Sequence, residues 1–212
     1  MKTHSGFFIS FEKTKEGLGG TTQANKLYDN LRGAGYEVVL TREPGGTRLG
    51  REIRKLLLDP EYNREGMSKA TELFLFMADR AQHYKEVIKP ALKQGKIVIT
   101  DRYFDTTLAY QGSGRGWKNA FLWRLHHAST GSLLPDLTFV LDGEAYRPLS
   151  SEDRMEGEGV KFHERVERGM KHIVAKNQHD RYRLVLANTD VDTLADHIFQ
   201  VVQQRMGEVG YR

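Results

Sequence analysis

Arg42 and Arg102 each stand directly after or at the end of a short apolar run, one in Thr41-Arg42-Glu43-Pro44-Gly45-Gly46-Thr47, the other in Asp101-Arg102-Tyr103. A planar guanidinium binds two phosphate oxygens at once, so arginines placed this way suit a phosphorylated small molecule. Asp101 adds a hard carboxylate of the kind that holds Mg²⁺ directly or through water. An Asp-Arg dipeptide alone is weak, since it is often a simple ion pair. Followed by Thr106, Thr107, Tyr110 and Gln111, it reads as one wall of a pocket.

A second chemistry-bearing stretch runs Lys13-Thr14-Lys15-Glu16-Gly17-Leu18-Gly19-Gly20-Thr21-Thr22-Gln23. Its context, after an apolar run and before a helical pattern, is that of the phosphate-binding loop G-x-x-x-x-G-K-[ST]. Aligned on Thr21-Thr22, Gly19 takes the second glycine position and Thr21 the Mg²⁺-binding hydroxyl. Thr14 stands where the first glycine belongs and Gly20 where the lysine belongs. Gly17, Gly19 and Gly20 still let backbone N–H groups, with Leu18 between them, turn inward around phosphate oxygens. The helix starting near Thr21 and Thr22 points its positive end at them. A point charge is missing. Lys13 and Lys15 precede the glycines; each reads either as a solvated loop lysine or as a replacement reaching in from the other side, and Lys15 is the candidate.

These residues need a scaffold. Nearly unbroken apolar runs predict strands over Phe7–Glu12, Glu37–Thr41, Lys96–Asp101, Leu137–Asp142 and Arg183–Ala187, as in a parallel sheet buried on both faces. Helical periodicity covers Thr21–Gly33, Gly50–Leu58, Ser68–Gln94, Trp117–Thr130, Phe162–Lys176 and Asp192–Met206. The alternation predicts a single α/β domain over 1–212, a doubly wound five-stranded parallel sheet flanked by helices. Ligands of such sheets sit beyond the strands' carboxyl ends, where Glu12, Thr41, Asp101 and Asp142 fall.

A chain of 212 residues suits one well-packed domain. Charged residues at 28% and hydrophobic ones at 39% argue against a disordered chain. No apolar stretch reaches the roughly 20 residues that span a bilayer, and no signal peptide is expected. The absence of cysteine excludes disulfides and thiolate metal sites and fits a cytoplasmic protein. A net charge of +4 suits attraction of nucleotides rather than a nucleic-acid stripe.

Taken together, Phe7-Phe8-Ile9-Ser10-Phe11-Glu12 with its glycine turn, the Arg42 and Arg102 motifs and Tyr110-Gln111-Gly112 resemble the thymidylate kinase family, from Gly6 to about Met170 and more weakly beyond. The resemblance implies a P-loop NTPase-type, nucleoside monophosphate kinase-like fold, with ATP and Mg²⁺ used to phosphorylate dTMP, and a homodimer. It places Arg42 on the acceptor phosphate and Glu16, where the family usually carries aspartate, on the deoxyribose 3′-hydroxyl. Phe76 and Arg80, four apart and so on one helix face, are similar to residues that stack on thymine and donate to its O4. Without that resemblance an aromatic at such spacing reads as core, and Phe74 is left as core. Thr107 and Tyr110, one turn apart, are expected to line the same pocket, and the resemblance places Tyr110 near the sugar, where it helps exclude a 2′-hydroxyl.

The resemblance also implies a lid, around 143–160. Here it is short and interrupted by Pro148, and Arg147 and Arg154 are the candidates for neutralising transition-state charge. The departures at the loop and lid leave two rivals to dTMP kinase: a thymidylate-binding homologue with impaired chemistry, and a kinase for another nucleoside monophosphate.

Overall fold

The computed structural model describes residues 5–145, 153–176 and 181–211. The elements run β1 (Phe7–Lys13), α1 (Gly20–Gly33), β2 (Val38–Arg42), α2 (Arg48–Leu58), α3 (Glu61–Glu65), α4 (Lys69–His83), α5 (Lys89–Lys93), β3 (Ile97–Asp101), α6 (Phe104–Thr107), α7 (Asn119–Thr130), β4 (Leu137–Asp142), α8 (Val160–Lys176), β5 (Tyr182–Leu186) and α9 (Val191–Glu208). The five strands form one sheet in the order β2-β3-β1-β4-β5, and every neighbouring pair is parallel. This is the expected α/β architecture.

Successive side chains of a strand point to opposite faces. Along β1, Phe7, Ile9 and Phe11 pack with Leu27 and Leu31 of α1 and with Ile198 and Val202 of α9. Phe8 packs on the other face with Leu73 and Met77 of α4, Leu122 of α7 and Val166 and Met170 of α8. Fully burying each such side chain contributes about 1.5–3 kcal/mol, so the two layers fix the sheet edge that carries the charged groups. In register, Arg42 is the partner of Asp101 and Phe11 is the partner of Asp101 on the other side.

Three local expectations differ from what folds. The strand read as ending at Glu12 continues to Lys13, because Lys13 pairs with Leu141 of β4 and Thr14 N–H donates to Leu141 O at 2.9 Å. The single helix expected over Ser68–Gln94 is α4, a π-turn at Tyr84–Ile88 and α5. Pro90 in this last segment donates no N–H and is placed at the start of α5, where none is needed. Phe74 is 53% exposed rather than core: with 3.6 residues per turn, a helix burying Leu73, Met77 and Arg80 turns Phe74 outward.

Candidate active site

Beyond the carboxyl ends of β1, β2 and β3 lies a cavity walled by Glu16, Arg42, Phe76, Arg80, Arg102, Thr107, Tyr110 and Gln111, with Asp101 and Thr21 at its edge. The structure thus brings together the acceptor residues expected from sequence. Arg42 is the most open of them, its guanidinium 4.0 Å from Asp101 and its side chain 46% exposed. Arg102 is backed by Glu16, donates to Thr106 Oγ1 at 3.3 Å and lies 5.4 Å over the Tyr110 ring. Its φ of 71° is a left-handed conformation rare for a branched-free but bulky residue; such backbone clusters at functional sites. Tyr110 and Gln111 fall in a second π-turn, Leu108–Gly114. The wider turn gives neighbouring side chains access to one cavity, and π-turns recur at functional sites.

The polar groups of the wall are fixed by partners behind them. Tyr110 donates its hydroxyl to Glu16 at 2.5 Å. Burial works against Glu16 ionising, but Arg102, Lys13 and the Tyr110 and Arg102 hydrogen bonds outweigh it and hold its pKa at about 2. Arg80, 2% exposed, donates from Nε to Glu43 at 2.8 Å and from Nη2 to Tyr103 O at 3.2 Å. Its Nη1 is buried with no hydrogen-bond partner among the described residues, and the guanidinium lies 5.2 Å from the Tyr103 ring centre and 5.6 Å from that of Phe104. Glu43 follows Arg42 and precedes Pro44 across a cis bond, and also accepts from His83 Nδ1 at 2.9 Å. Burial opposes its ionisation, and Arg80 and His83 reverse that and lower its pKa. Gln111 donates to Glu72 at 3.2 Å.

The glycine loop closes against the same edge. α1 begins with Gly19 at φ 78° and without a side-chain cap, whereas α2, α4 and α9 are capped by Thr47, Ser68 and Asp190. Its first N–H groups are therefore left for an anion. A second cavity is lined by Gly17, Leu18, Gly19, Gly20, Thr21 and Thr22 and shares Thr21 and Glu16 with the first. Thr21 Oγ1 donates to Asp101 Oδ2 at 2.5 Å, while Asp101 Oδ1 faces the Lys13 ammonium at 3.2 Å. A carboxylate beside a hydroxyl, both oxygen ligands, is a donor set that fits Mg²⁺, which takes few protein ligands and completes its shell with water and substrate phosphates. Among the described residues no group of three or more His, Asp or Glu side chains forms a self-sufficient metal cage.

Other sequence candidates lie elsewhere. Lys15 Nζ is 3.8 Å from Glu167 on α8 and lines neither cavity. Arg154 is 2% exposed, paired with Glu72 at 2.8 Å and donating from Nε to Leu57 O at 2.7 Å. Arg147 lies outside the described residues. Sequence reasoning missed Arg54, which lines the first cavity and donates to Pro44 O at 3.0 Å. Burial and the nearby Arg42 lower its pKa, as expected where cations gather without enough counter-charge. An arginine inside an amphipathic helix carries no sequence signal of this.

A parallel 2-3-1-4-5 sheet, a glycine loop after β1 and a guanidinium-lined acceptor cavity define a nucleoside monophosphate kinase of the P-loop NTPase type. A family model for thymidylate kinase matches residues 15–198. The chain is 45% identical over 194 residues to a thymidylate kinase of Desulfovibrio desulfuricans, covering 85% of this chain and 88% of that one. It is 44% identical over 207 residues to a thymidylate kinase of Thermomicrobium roseum, covering 94% and 96%. The crystal structure of thymidylate kinase from Ehrlichia chaffeensis superposes with a TM-score of 0.77 at 33% identity, covering 93% of this chain and 98% of that one. This chain belongs to the thymidylate kinase family.

Proposed function

We propose that this protein transfers the γ-phosphoryl group of ATP to the phosphate of dTMP, giving dTDP and ADP with Mg²⁺. The observation that carries the reading is a single cavity lined by Phe76 and Arg80 together with Arg42, Arg54 and Arg102. One end offers an aromatic face and a hydrogen-bond donor, as a thymine ring and its O4 require. The other neutralises a phosphate. In this reading Glu16 and Tyr110, which line the same cavity, face the deoxyribose.

The acceptor is already an anion, so no strong general base is required. An acceptor phosphate oxygen forms the new O–P bond to the γ-phosphorus while the bond to the departing ADP oxygen breaks. Rate comes from alignment and charge neutralisation. Arg42 and Arg102 hold and orient the acceptor phosphate, and Thr21 and Asp101 are the residues that would hold Mg²⁺, which supplies charge neutralisation at the donor phosphates. A coupled ADP-release assay over dTMP, dUMP, dGMP and dAMP tests this. Turnover greatest with dTMP supports it; equal turnover with all four overturns the base-pocket assignment.

A thymidylate-binding homologue without chemistry is not favoured, since the family match spans the loop as well as the acceptor residues. A homodimer is part of the reading. α2 and α4 pack together, and each carries exposed apolar side chains, Leu49 and Leu56 on one and Phe74 on the other. Light scattering at a mass twice 24.3 kDa would agree. No helix among the described residues is long and apolar enough to cross a membrane, and we assign the enzyme to the cytoplasm.

A further inference from the structure

We propose that Lys13, at the end of β1, supplies the phosphate-binding charge that Gly20 lacks, delivered from the strand side of the loop instead of the helix side. The inference rests on the kinase reading above but concerns which cation serves the donor phosphates.

Strand alternation places Lys13 on the same face as Phe7, Ile9 and Phe11, the face covered by α1. Its side chain crosses the first turn of that helix at Gly20. A Cβ built on Gly20 would lie 2.8 Å from Lys13 Cε and 3.0 Å from Cδ, closer than real Cβ atoms come to another heavy atom. The absent side chain at position 20 is thus the space through which the lysine stem runs. The ammonium at the end of that stem is 3.2 Å from Asp101 Oδ1, with the side chain 9% exposed. A lysine buried to that degree is held, not solvated.

Its location is that of a bridging charge. Lys13, Glu16 and Thr21 are shared by the lining of the acceptor cavity and of the glycine-loop cavity. A cation at that junction reaches the phosphates between which transfer takes place. The ordinary loop lysine stands at the first turn of the helix and points to the same place. Here the strand delivers it instead, over a helix start left bare for it. Lys15, the other lysine before the glycines, is directed to Glu167.

The test compares Lys13→Met, Lys15→Ala and the exchange variant Lys13→Gly with Gly20→Lys, with folding checked by thermal melting. Methionine keeps an apolar stem over Gly20 and removes the ammonium. Turnover is measured by ADP release, and affinities for ATP, AMP and dTMP by titration calorimetry. Lys13→Met is expected to lower kcat on the order of 10²–10³-fold. It should also narrow the preference for ATP over AMP about tenfold, with dTMP affinity within about threefold of the original. The exchange variant should recover most of the lost turnover. Unchanged kcat and ATP-to-AMP preference in Lys13→Met, or a larger loss in Lys15→Ala, overturns the proposal. If the unmodified protein binds ATP yet releases no ADP, the kinase reading fails. The ATP-to-AMP preference then decides the role of Lys13 by itself.

Discussion

Glu43 and Arg80, 37 residues apart, form a buried pair at 2.8 Å in which the carboxylate takes only Nε, Nη1 having no hydrogen-bond partner among the described residues. The pair holds the guanidinium in place in the wall of the proposed base site. Arg80→Lys retains charge but not the fork. It should weaken dTMP binding about tenfold or more while dGMP binding changes little. Titration of both monophosphates checks this; equal weakening of both would place Arg80 outside the base site.

Glu16 links Arg102 to Tyr110 and is ionised far below neutral pH. Glu16→Gln should raise the KM for dTMP about tenfold, since it removes one partner of a buried charge pair. With its pKa near 2, Glu16 contributes no acidic limb to the pH–rate profile between pH 5 and 8. A limb there that vanishes in Glu16→Gln would contradict the assignment.

Glu12 is buried and accepts from Tyr103 N–H at 2.9 Å and from Thr106. Burial, and then the Asp105 carboxylate, push its pKa up to about 8, against Thr106, Arg102 and Arg80, which lower it. The folded protein thus keeps this proton to higher pH than the unfolded chain does. Between the unfolded value of 4.5 and about 8, raising pH costs stability, because the folded state binds more protons than the unfolded. Glu12→Gln should flatten that slope. Urea unfolding at pH 5, 7 and 9 measures it, and an unchanged slope in the variant would refute the shift.

Arg154 joins residues from three segments: Glu72 of α4, the Leu57 carbonyl of α2 and its own neighbour Met155. Removing one partner of such a buried pair typically costs about 3 kcal/mol, reduced here because Arg115 also pairs with Glu72 at 2.7 Å. Arg154→Leu should lower the thermal midpoint by several degrees and leave kcat of the folded fraction within about tenfold. A loss of 10³-fold or more with an unchanged midpoint would instead make it the charge-neutralising arginine that its position in the sequence suggests.

The parallel sheet and the residues that line the cavity are legible in the sequence because each rests on a short-range signal: apolar runs ending in charge, or polar residues at helical spacing. Lys13 is not, since its place in the strand depends on pairing with Leu141 of β4, far along the chain, in the ladder where Ser10 pairs with Thr138. Apolar character ends at Phe11 while pairing continues two residues further. Phe74 departs from the core expected of it because six consecutive apolar residues, Leu73 to Ala78, cannot share one helix face. The Glu43–His83–Thr41 chain, with His83 Nε2 2.6 Å from Thr41 Oγ1, and the Arg54 contribution arise only when β2, α2 and α4 meet.

The most direct test of the account is ³¹P NMR of the unmodified protein with ATP, Mg²⁺ and dTMP. The account predicts that the γ-phosphate resonance of ATP disappears while dTDP and ADP resonances grow in equal amounts, and that EDTA stops the conversion. Saturable dTMP binding with an ATP spectrum unchanged over hours would mean that the acceptor site exists without the transfer, and the account would be wrong.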